Sequence, residues 1–257
     1  MAIMTLHSAT GAPGVTTTAL GLAWQWGRPV LVVEADLAGS SILTGFLRGE
    51  QPPAEGVLAL SKATIRSQSW QLSQHTIRLA DAVWLLPGAQ SPTQAHGMSP
   101  AWPQMMSALR AHEATGADVL IDCGRTLHPH ADPRAVLWQE ADQRVVLTRT
   151  RAPEAIAAAR LARALVDGED TSGVGRTSLA VIRHGDYGVR EVTGLARAPR
   201  CGTLPWSPRT AAVFSDGSRA RGRRVSRSVL GVALRQTART LQARVRDRAE
   251  YLHGATP

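Results

Sequence analysis

The sequence predicts a three-layer α/β fold, in which helices cover both faces of a mainly parallel, doubly wound sheet. Short apolar segments rich in β-formers alternate along the chain with helical segments, which is the pattern of βαβ units. The segment 29–34 (PVLVVE) is almost continuously apolar, as expected for a strand buried on both faces. In such sheets ligands bind at the carboxyl ends of the strands.

Each element follows from its local pattern. The predicted strands are 3–8, 29–34, 82–86, 118–122, 144–148, 178–183 and a brief one near 203–204. The predicted helices are 16–26, 100–114, 153–166, a short one after residue 183, 208–214 and 225–252. Proline at the start of several of these helices is compatible with the first helical turn. The segments 49–56 and 87–103 are predicted to be surface loops. We expect residues 1–217 to form one α/β domain, with the segment 218–257 packed on it.

Composition narrows the class of protein. The chain has 257 residues, 44% of them hydrophobic, which suits a globular core. It contains no apolar stretch long enough to span a membrane, and its first residues lack the basic region of a signal peptide. Two cysteines, Cys123 and Cys201, cannot build a disulfide framework and are expected to be buried thiols. We therefore expect a cytoplasmic protein.

Positive charge is concentrated at the C-terminal end. Lys62 is the single lysine, so arginine supplies almost all of the positive charge. From residue 200 onward there are twelve arginines and three acids, and this excess of +9 equals the net charge of the whole chain. A neutral body with a cationic end indicates an anionic partner, either nucleic acid or a membrane surface.

A glycine-containing turn, 8–18 (SATGAPGVTTT), joins the first predicted strand to the first helix. Glycines allow successive backbone N–H groups to face a phosphate, and the helix start directs its positive dipole end there. A phosphate loop also carries a lysine followed by Ser or Thr. Here Thr16 and Thr17 provide the hydroxyls, but the lysine is absent.

The segment 11–23 (GAPGVTTTALGLA) resembles the deviant Walker A loop of the ParA/MinD family, a SIMIBI-type P-loop NTPase family whose pattern is KGGVGKTT. The family's two lysines fall on Thr10 and Val15. The resemblance implies that ATP or ADP is bound by the loop residues Gly11, Ala12, Pro13, Gly14, Val15, Thr16 and Thr17.

Two further segments extend the resemblance. The segment 32–40 (VVEADLAGS) is similar to the family's D-x-D-P-Q-x-S strand end, which implies that Asp36 orients the attacking water. The segment 118–124 (DVLIDCG) resembles the Walker B strand. Together the two segments imply a Mg²⁺ site formed by Thr16, Asp36 and Asp122.

The base-binding segments depart from the family pattern. His184 stands where the family usually has an adenine-contacting Asn. The segment 204–207 (LPWS) resembles the late I-P-x-D loop, with Pro205 retained and Ser207 in place of Asp.

The missing lysines bear on the expected activity. Losing a group that stabilises the charge of a transferring phosphoryl group lowers the rate by about 10²–10⁴. We therefore expect at most a slow Mg²⁺-dependent ATPase. Arg125, directly after the Walker B strand, is the best-placed replacement cation and the second catalytic candidate beside Asp36, followed by Arg149 and Arg151.

Three functions stay open at this point. The first is a ParA/MinD-like homodimer, joined through its phosphate-loop face, that positions or partitions DNA or an envelope or pilus machine, including a TadZ-like role. The second is a non-enzymatic pseudo-NTPase scaffold for a protein or DNA partner. The third is a DNA-binding accessory protein.

The C-terminal segment combines an amphipathic pattern with its arginines. Apolar residues recur at three- and four-residue spacing over 229–252, which predicts a helix. DNA is the first candidate partner, and a membrane surface is less favoured because Tyr251 is the only aromatic residue in the helix. An acidic protein is the third candidate. The residues predicted to contact nucleic acid are Arg219, Arg221, Arg223, Arg224 and Arg227.

Two other features have simpler interpretations. His128, His130 and Asp132 are close in sequence, but they lack a second ligand cluster, so a metal site is disfavoured. Trp24 and Trp26 are two residues apart on one predicted helix, and at that spacing they are not expected both to face the protein core. One of them is expected to meet another segment or a dimer partner.

Overall fold

The computed structural model describes residues 1–11, 14–50, 56–66, 70–166, 175–217 and 222–254, without the side chains of 222–224. Its strands are β1 (Ile3–Ser8), β2 (Val30–Glu34), β3 (Ile77–Ala80), β4 (Val83–Leu86), β5 (Asp118–Arg125), β6 (Gln143–Arg149), β7 (Thr177–Arg183) and β8 (Arg200–Pro205). They form one eight-stranded sheet in the order β3-β4-β2-β5-β1-β6-β7-β8. Every neighbouring pair is parallel except β3 and β4. The predicted mainly parallel sheet is confirmed.

Helices cover both faces of this sheet. They are α1 (Val15–Trp24), α2 (Val57–Ile65), α3 (Pro92–Gly97), α4 (Trp102–Glu113), α5 (Ala135–Gln139), α6 (Ala152–Val166), α7 (Val189–Ala196), α8 (Pro208–Ser215), α9 (Gly222–Arg227) and α10 (Val229–Gly254). Shorter helical turns lie at Ile42–Phe46, Leu72–His75 and Ser99–Ala101. One apolar core lies between the sheet and α2, α4, α5, α6 and α7. A second core lies between the opposite face and α1, α8 and α10. This is the predicted three-layer arrangement.

Several predicted elements differ from the observed ones. The prediction missed β3, a half-buried strand that pairs antiparallel with β4 across a tight turn. The predicted loop 87–103 is wrong, because Ser91 caps α3 by accepting the N–H of Gln94 and the side chain of Met98 is buried in the core. Proline begins helices here instead of marking a loop. The part of the predicted loop 49–56 at 51–55 lies outside the described residues.

The predicted C-terminal helix 225–252 is two helices. The helix is interrupted at Ser228. The hydroxyl of this residue donates to the carbonyl of Val225 (2.6 Å) and accepts the N–H of Gly231 (3.0 Å). Leu230, Leu234 and Leu241 of α10 are buried in the second core. The amphipathic stripe is therefore real over these turns of α10, whereas Leu252 at its end is exposed.

The two tryptophans of the first helical segment have different environments. Trp26 is buried, and its indole N–H donates to a carboxylate oxygen of Asp118 (2.6 Å). Trp24, at the end of α1, packs edge-on against the rings of Phe46 and Phe214 at centroid distances of 5.4 and 6.1 Å. Both rings therefore pack against the second core, so the prediction that they cannot both face the core is wrong, although Trp24 makes the predicted contact with other segments. Both cysteines are buried and free.

Candidate nucleotide-binding site

The turn between β1 and α1 presents backbone N–H groups. Gly14 has a left-handed backbone (φ 79°), and its carbonyl accepts the N–H of Thr18 at 2.9 Å. No described side chain caps the start of α1, and its first turn carries no acid. An uncapped helix start of this kind is suited to bind an anion. Gly11 and Gly14 are exposed, while Ala12 and Pro13, also predicted to bind the nucleotide, lie outside the described residues.

Val15, at the position of the family's second lysine, and the two threonines that follow it differ in their exposure. The side chain of Val15 is buried in the apolar core, so it can contribute to the loop only through its backbone. Thr16 and Thr17 are partly exposed. Hydroxyls at the start of α1 are therefore accessible, and no charged side chain replaces the lysine within the described part of this turn.

Asp122 lies beside the turn because β5 pairs with β1, with Leu6 opposite Asp122. Its carboxylate is buried and accepts the N–H of Gly124 at 2.9 Å, and the hydroxyl of Thr16 lies close enough to lower its pKa. The Thr16–Asp122 contact joins the two segments that the sequence identified separately as phosphate loop and Walker B strand.

Asp36 reaches the same corner from β2. It follows that strand by two residues, accepts the N–H of Ala38 (2.9 Å), and its carboxylate lies against the backbone of Gly124. Thr16, Asp36 and Asp122, predicted as Mg²⁺ ligands, are thus brought together at the carboxyl ends of neighbouring strands.

A third acid completes this corner. Glu34 at the end of β2 is buried and accepts hydrogen bonds from the hydroxyl of Ser40 (2.5 Å) and from the N–H groups of Ser41, Ile42 and Gly88. These bonds fix the segment after β2 that carries Asp36. The sequence analysis assigned Glu34 no role.

Burial changes the protonation of these acids. Burial, together with the nearby charges of Asp36 and Glu34, raises the pKa of Asp122 to about 7, against the opposing effects of the Thr16 hydroxyl and the Gly124 N–H. Burial also raises the pKa of Asp36 and of Glu34. Three carboxylates in one desolvated corner favour either a bound cation or a retained proton.

Arg134 is a buried cation that sequence reasoning missed. Its side chain is fully buried and forms an ion pair with Asp132 at 2.7 Å. It also donates to the carbonyl oxygens of Ala35, Cys123 and Arg125. It therefore holds together the ends of β2 and β5, and its charge lowers the pKa of Asp36. No sequence pattern indicates such a residue, because arginine is rarely fully buried.

The ion pair between Arg134 and Asp132 also involves a residue of the metal site that the sequence disfavoured. Asp132, considered with His128 and His130 as a metal cluster, is bound to Arg134 instead. No group of three or more His, Cys, Asp or Glu residues in the described ranges could hold a metal ion.

The proposed replacement cation Arg125 ends β5 with an exposed side chain, and its carbonyl accepts a hydrogen bond from Arg134 at 3.3 Å. The fold therefore places it on the surface next to Gly124. Its catalytic role stays a prediction.

The predicted base-contacting residues lie at the ends of β7 and β8. His184 directly follows β7, and its ring stacks on Trp206 with a centroid distance of 4.0 Å and an interplanar angle of 18°. Pro205 ends β8 and pairs with Arg183. Beside Pro205 and Trp206 opens a cavity of about 200 Å³, which Gly14, Thr17 and Thr18 line from the other side. Phosphate loop and late loop thus share one cavity.

The donor set at the start of α1 is compatible with Mg²⁺ and a nucleotide. Mg²⁺ prefers oxygen ligands and is usually held by one or two carboxylates together with substrate phosphates. The hydroxyl of Thr16 and the carboxylates of Asp36 and Asp122 are ligands of this type, and the uncapped N–H groups of α1 suit a phosphate. The residues therefore fit a Mg²⁺-nucleotide, and the absence of an all-protein metal cage among the described residues is consistent with it.

The predicted nucleic-acid contacts are only partly described. Arg219 and Arg221 lie outside the described residues, and of Arg223 and Arg224 only the backbone, within α9, is described. Arg227 ends α9 with an exposed side chain. Within the described ranges, no helix is both long and apolar enough to cross a bilayer.

The strand order, the parallel sheet and the turn before α1 define the fold of P-loop NTPases. No family model and no curated protein matches the sequence. The fold is similar to that of the septum site-determining protein MinD from Pyrococcus horikoshii, solved with Mg-ADP (TM-score 0.70, 17% identity, 92% of this chain and 94% of that chain).

Two further solved structures have the same fold. They are the cell division ATPase MinD of Pyrococcus furiosus (TM-score 0.72, 17% identity, 94% and 98% covered) and a ParA family ATPase from Chlorobium tepidum (TM-score 0.67, 16% identity, 92% and 97% covered). The chain therefore has the MinD/ParA fold over nearly its whole length, as the resemblance implied.

Proposed function

We propose that this protein is a nucleotide-binding positioning or partitioning protein, acting on DNA or on an envelope or pilus machine, with weak or absent ATP hydrolysis. The observation that carries the proposal is the position of Thr16 at the start of α1, close enough to the buried Asp122 for its hydroxyl to lower the pKa of that carboxyl, with Asp36 nearby. This arrangement provides hydroxyl and carboxylate oxygens for Mg²⁺ beside uncapped N–H groups.

Each residue then has a defined part. The loop from Gly11 to Thr17, including Ala12, Pro13 and Val15, binds the phosphates through its backbone. Thr16, Asp36 and Asp122 hold Mg²⁺, whose chemistry is to neutralise phosphate charge. Asp36 orients water, and Arg125 is the candidate for the charge that the missing lysines would supply. His184 and Pro205 lie beside the base.

Titration calorimetry with ATP, ADP and GTP at millimolar concentration, with Mg²⁺, tests this proposal. We expect heat of binding and a rise in melting temperature, since a ligand that binds only the folded state stabilises it. Thr16→Ala and Asp36→Ala should remove both effects. Thr240→Ala, an exposed residue of α10, is the matched control and should bind as the wild type does. Absence of heat and of a thermal shift with all three nucleotides contradicts nucleotide binding.

The second candidate is a pseudo-NTPase scaffold that holds a protein or DNA partner. The observation that favours it is the direct stacking of His184 on Trp206, because two rings 4.0 Å apart leave no space for a base between them. A scaffold predicts that Thr16→Ala and Asp36→Ala leave partner binding and cellular localisation unchanged. Loss of either property in a folded variant contradicts the scaffold.

Partners follow from charge and from the phosphate-loop face. We propose a homodimer through that face, tested by sedimentation with and without ATP, and a cytoplasmic location. DNA is the preferred anionic partner, ahead of a membrane surface or an acidic protein. Truncation of the chain after residue 217 would also remove Leu234 and Leu241 from the second core. Substitution of the arginines is therefore the better test of DNA binding.

The triple change Arg223→Gln, Arg224→Gln and Arg227→Gln should weaken retardation of random duplex DNA. It should also reduce the salt dependence of binding by about 0.9 in slope for each DNA phosphate that the protein ceases to neutralise. A control outside this segment is Arg78→Gln in β3, at the far edge of the sheet, which removes one positive charge and should leave the salt slope unchanged. An unchanged salt slope in the triple variant contradicts DNA binding through this segment.

A further inference from the structure

The cavity between the phosphate loop and β8 has one charged side chain in its described wall. Its polar and apolar lining comes from α1, β7, β8, α8 and α10, and the charged residue is Arg149 at the end of β6. β6 runs beside β1 with Ser8 opposite Leu147, so Arg149 lies two residues beyond the last pair, at the end of the sheet where the lysine-free turn begins.

Neighbouring side chains orient Arg149. Its guanidinium carbon lies 4.9 Å from the centroid of the Trp206 ring, and a nitrogen lies 3.7 Å from a carboxylate oxygen of Glu154. The Arg149 side chain is only 16% exposed. An arginine that stacks on an aromatic ring has a restricted orientation, and its planar group can bind a phosphate through two N–H donors.

Charge in this region is divided between two sides of the phosphate loop. On the side of β2 and β5 lie the acids Glu34, Asp36 and Asp122, of which Asp36 and Asp122 are the proposed Mg²⁺ ligands. On the side of β6 and β8 lies Arg149, in the same cavity wall as Gly14, Thr17 and Thr18. A nucleotide phosphate at the start of α1 would therefore meet N–H groups from the loop and a guanidinium from β6.

We propose that Arg149 binds a phosphate group of the nucleotide from the side of β6, supplying positive charge for nucleotide binding at the lysine-free loop, whereas Arg125 is the candidate for charge in catalysis. This inference rests on the proposed function. The site takes a nucleoside di- or triphosphate, Trp206 orients the guanidinium, and Glu154 competes with the phosphate for it.

Calorimetric titration of the purified full chain with Mg-ADP and, separately, with adenosine tests this. We expect Arg149→Gln to weaken Mg-ADP binding by about 10- to 100-fold, the effect of losing a charge-assisted hydrogen bond, and to leave adenosine binding unchanged. Arg149→Lys should recover part of the affinity. Arg160→Gln, an exposed arginine of α6, is the charge-matched control and should bind Mg-ADP as the wild type does.

Glu154 separates phosphate binding from a structural ion pair. If Arg149 binds phosphate, Glu154→Gln frees it and should strengthen Mg-ADP binding by about 2- to 5-fold, opposite in sign to Arg149→Gln. If the pair only stabilises the fold, both variants weaken binding or neither changes it, which overturns the inference.

The remaining outcomes are distinct. Equal loss of adenosine and Mg-ADP binding in Arg149→Gln assigns the residue to the base and overturns phosphate binding. Wild-type binding of Mg-ADP that Arg149→Gln leaves intact overturns this inference alone. Absence of wild-type binding to any nucleotide overturns the proposed function and this inference together.

Discussion

The carboxylate of Asp36 lies against the backbone of Gly124, with no space between them for a methyl group. Gly124 ends the buried part of β5 and has a left-handed backbone (φ 55°). The position of Asp36, the proposed metal ligand that follows β2, therefore depends on the absence of a side chain at Gly124 of β5.

Gly124→Ala should displace Asp36 and abolish Mg²⁺-dependent nucleotide binding. Because alanine is strained in the left-handed backbone conformation, the variant should also lose about 1–2 kcal/mol of stability. Gly27→Ala is the matched control, because Gly27 also has a positive φ (81°) but has open space around it. Calorimetry should show binding in Gly27→Ala and none in Gly124→Ala. Equal binding in the two variants would mean that the contact with Asp36 is irrelevant.

The buried Asp122 should make stability depend on pH. Its pKa is raised from 3.8 to about 7 in the folded protein, so between about pH 4 and pH 7 the unfolded chain releases this proton first. The contribution of Asp122 to the free energy of unfolding should therefore fall as pH rises through that window. Relative to the wild type, Asp122→Asn should become more stable as pH rises from 4 to 8, as measured by urea denaturation; the buried His7, whose pKa is lowered by burial, acts in both proteins and cancels in this difference.

A matched control for Asp122→Asn is Asp81→Asn, since Asp81 is fully exposed beside Arg78. This variant should follow the wild-type pH curve. A difference in stability between the wild type and Asp122→Asn that stays constant from pH 4 to pH 7 in the absence of metal would contradict the assignment of a raised pKa to Asp122.

Arg134→Met should be strongly destabilising. The change leaves Asp132 without its ion pair and removes the Arg134 donor from two buried carbonyl oxygens and one part-buried one, and breaking a buried pair costs about 3–5 kcal/mol. Arg110→Met removes a half-exposed pair with Asp142 and should cost only about 0–1 kcal/mol. Urea denaturation of both variants measures the difference. Similar losses would show that burial of Arg134 has no special weight.

The sequence predicts those site residues that can be located from a single strand. Asp36 and Asp122 were identified because each follows a recognisable apolar run, and parallel strands bring such positions to one edge of a sheet. Arg134 could not be assigned in this way, because its role comes from contacts that only the fold brings together, and Arg149 was predicted only as a replacement cation after Arg125. The antiparallel β3 was missed since its half-buried pattern is too short to indicate a strand alone.

A second limit concerns the C-terminal segment. Its apolar spacing predicts a helix but not the face of the sheet on which the helix packs. In the structure α10 approaches α1 so closely that a Cβ atom on Gly21 would lie 2.8 Å from a methyl carbon of Leu234 and 3.4 Å from the ring of Phe214. The division of the chain at residue 217 stays a prediction, and this contact offers a way to test it.

Gly21→Ala and Leu234→Ala should each destabilise the protein, the first by overpacking by about 1–3 kcal/mol and the second by a cavity costing about 2–5 kcal/mol. The double variant should lose less than the sum, because the new methyl group enters the space that Leu234 leaves. Urea denaturation of the four proteins in this cycle gives the coupling. Additive losses would indicate that α10 does not pack on α1, and the C-terminal helix would then be a separable unit and not part of the second core.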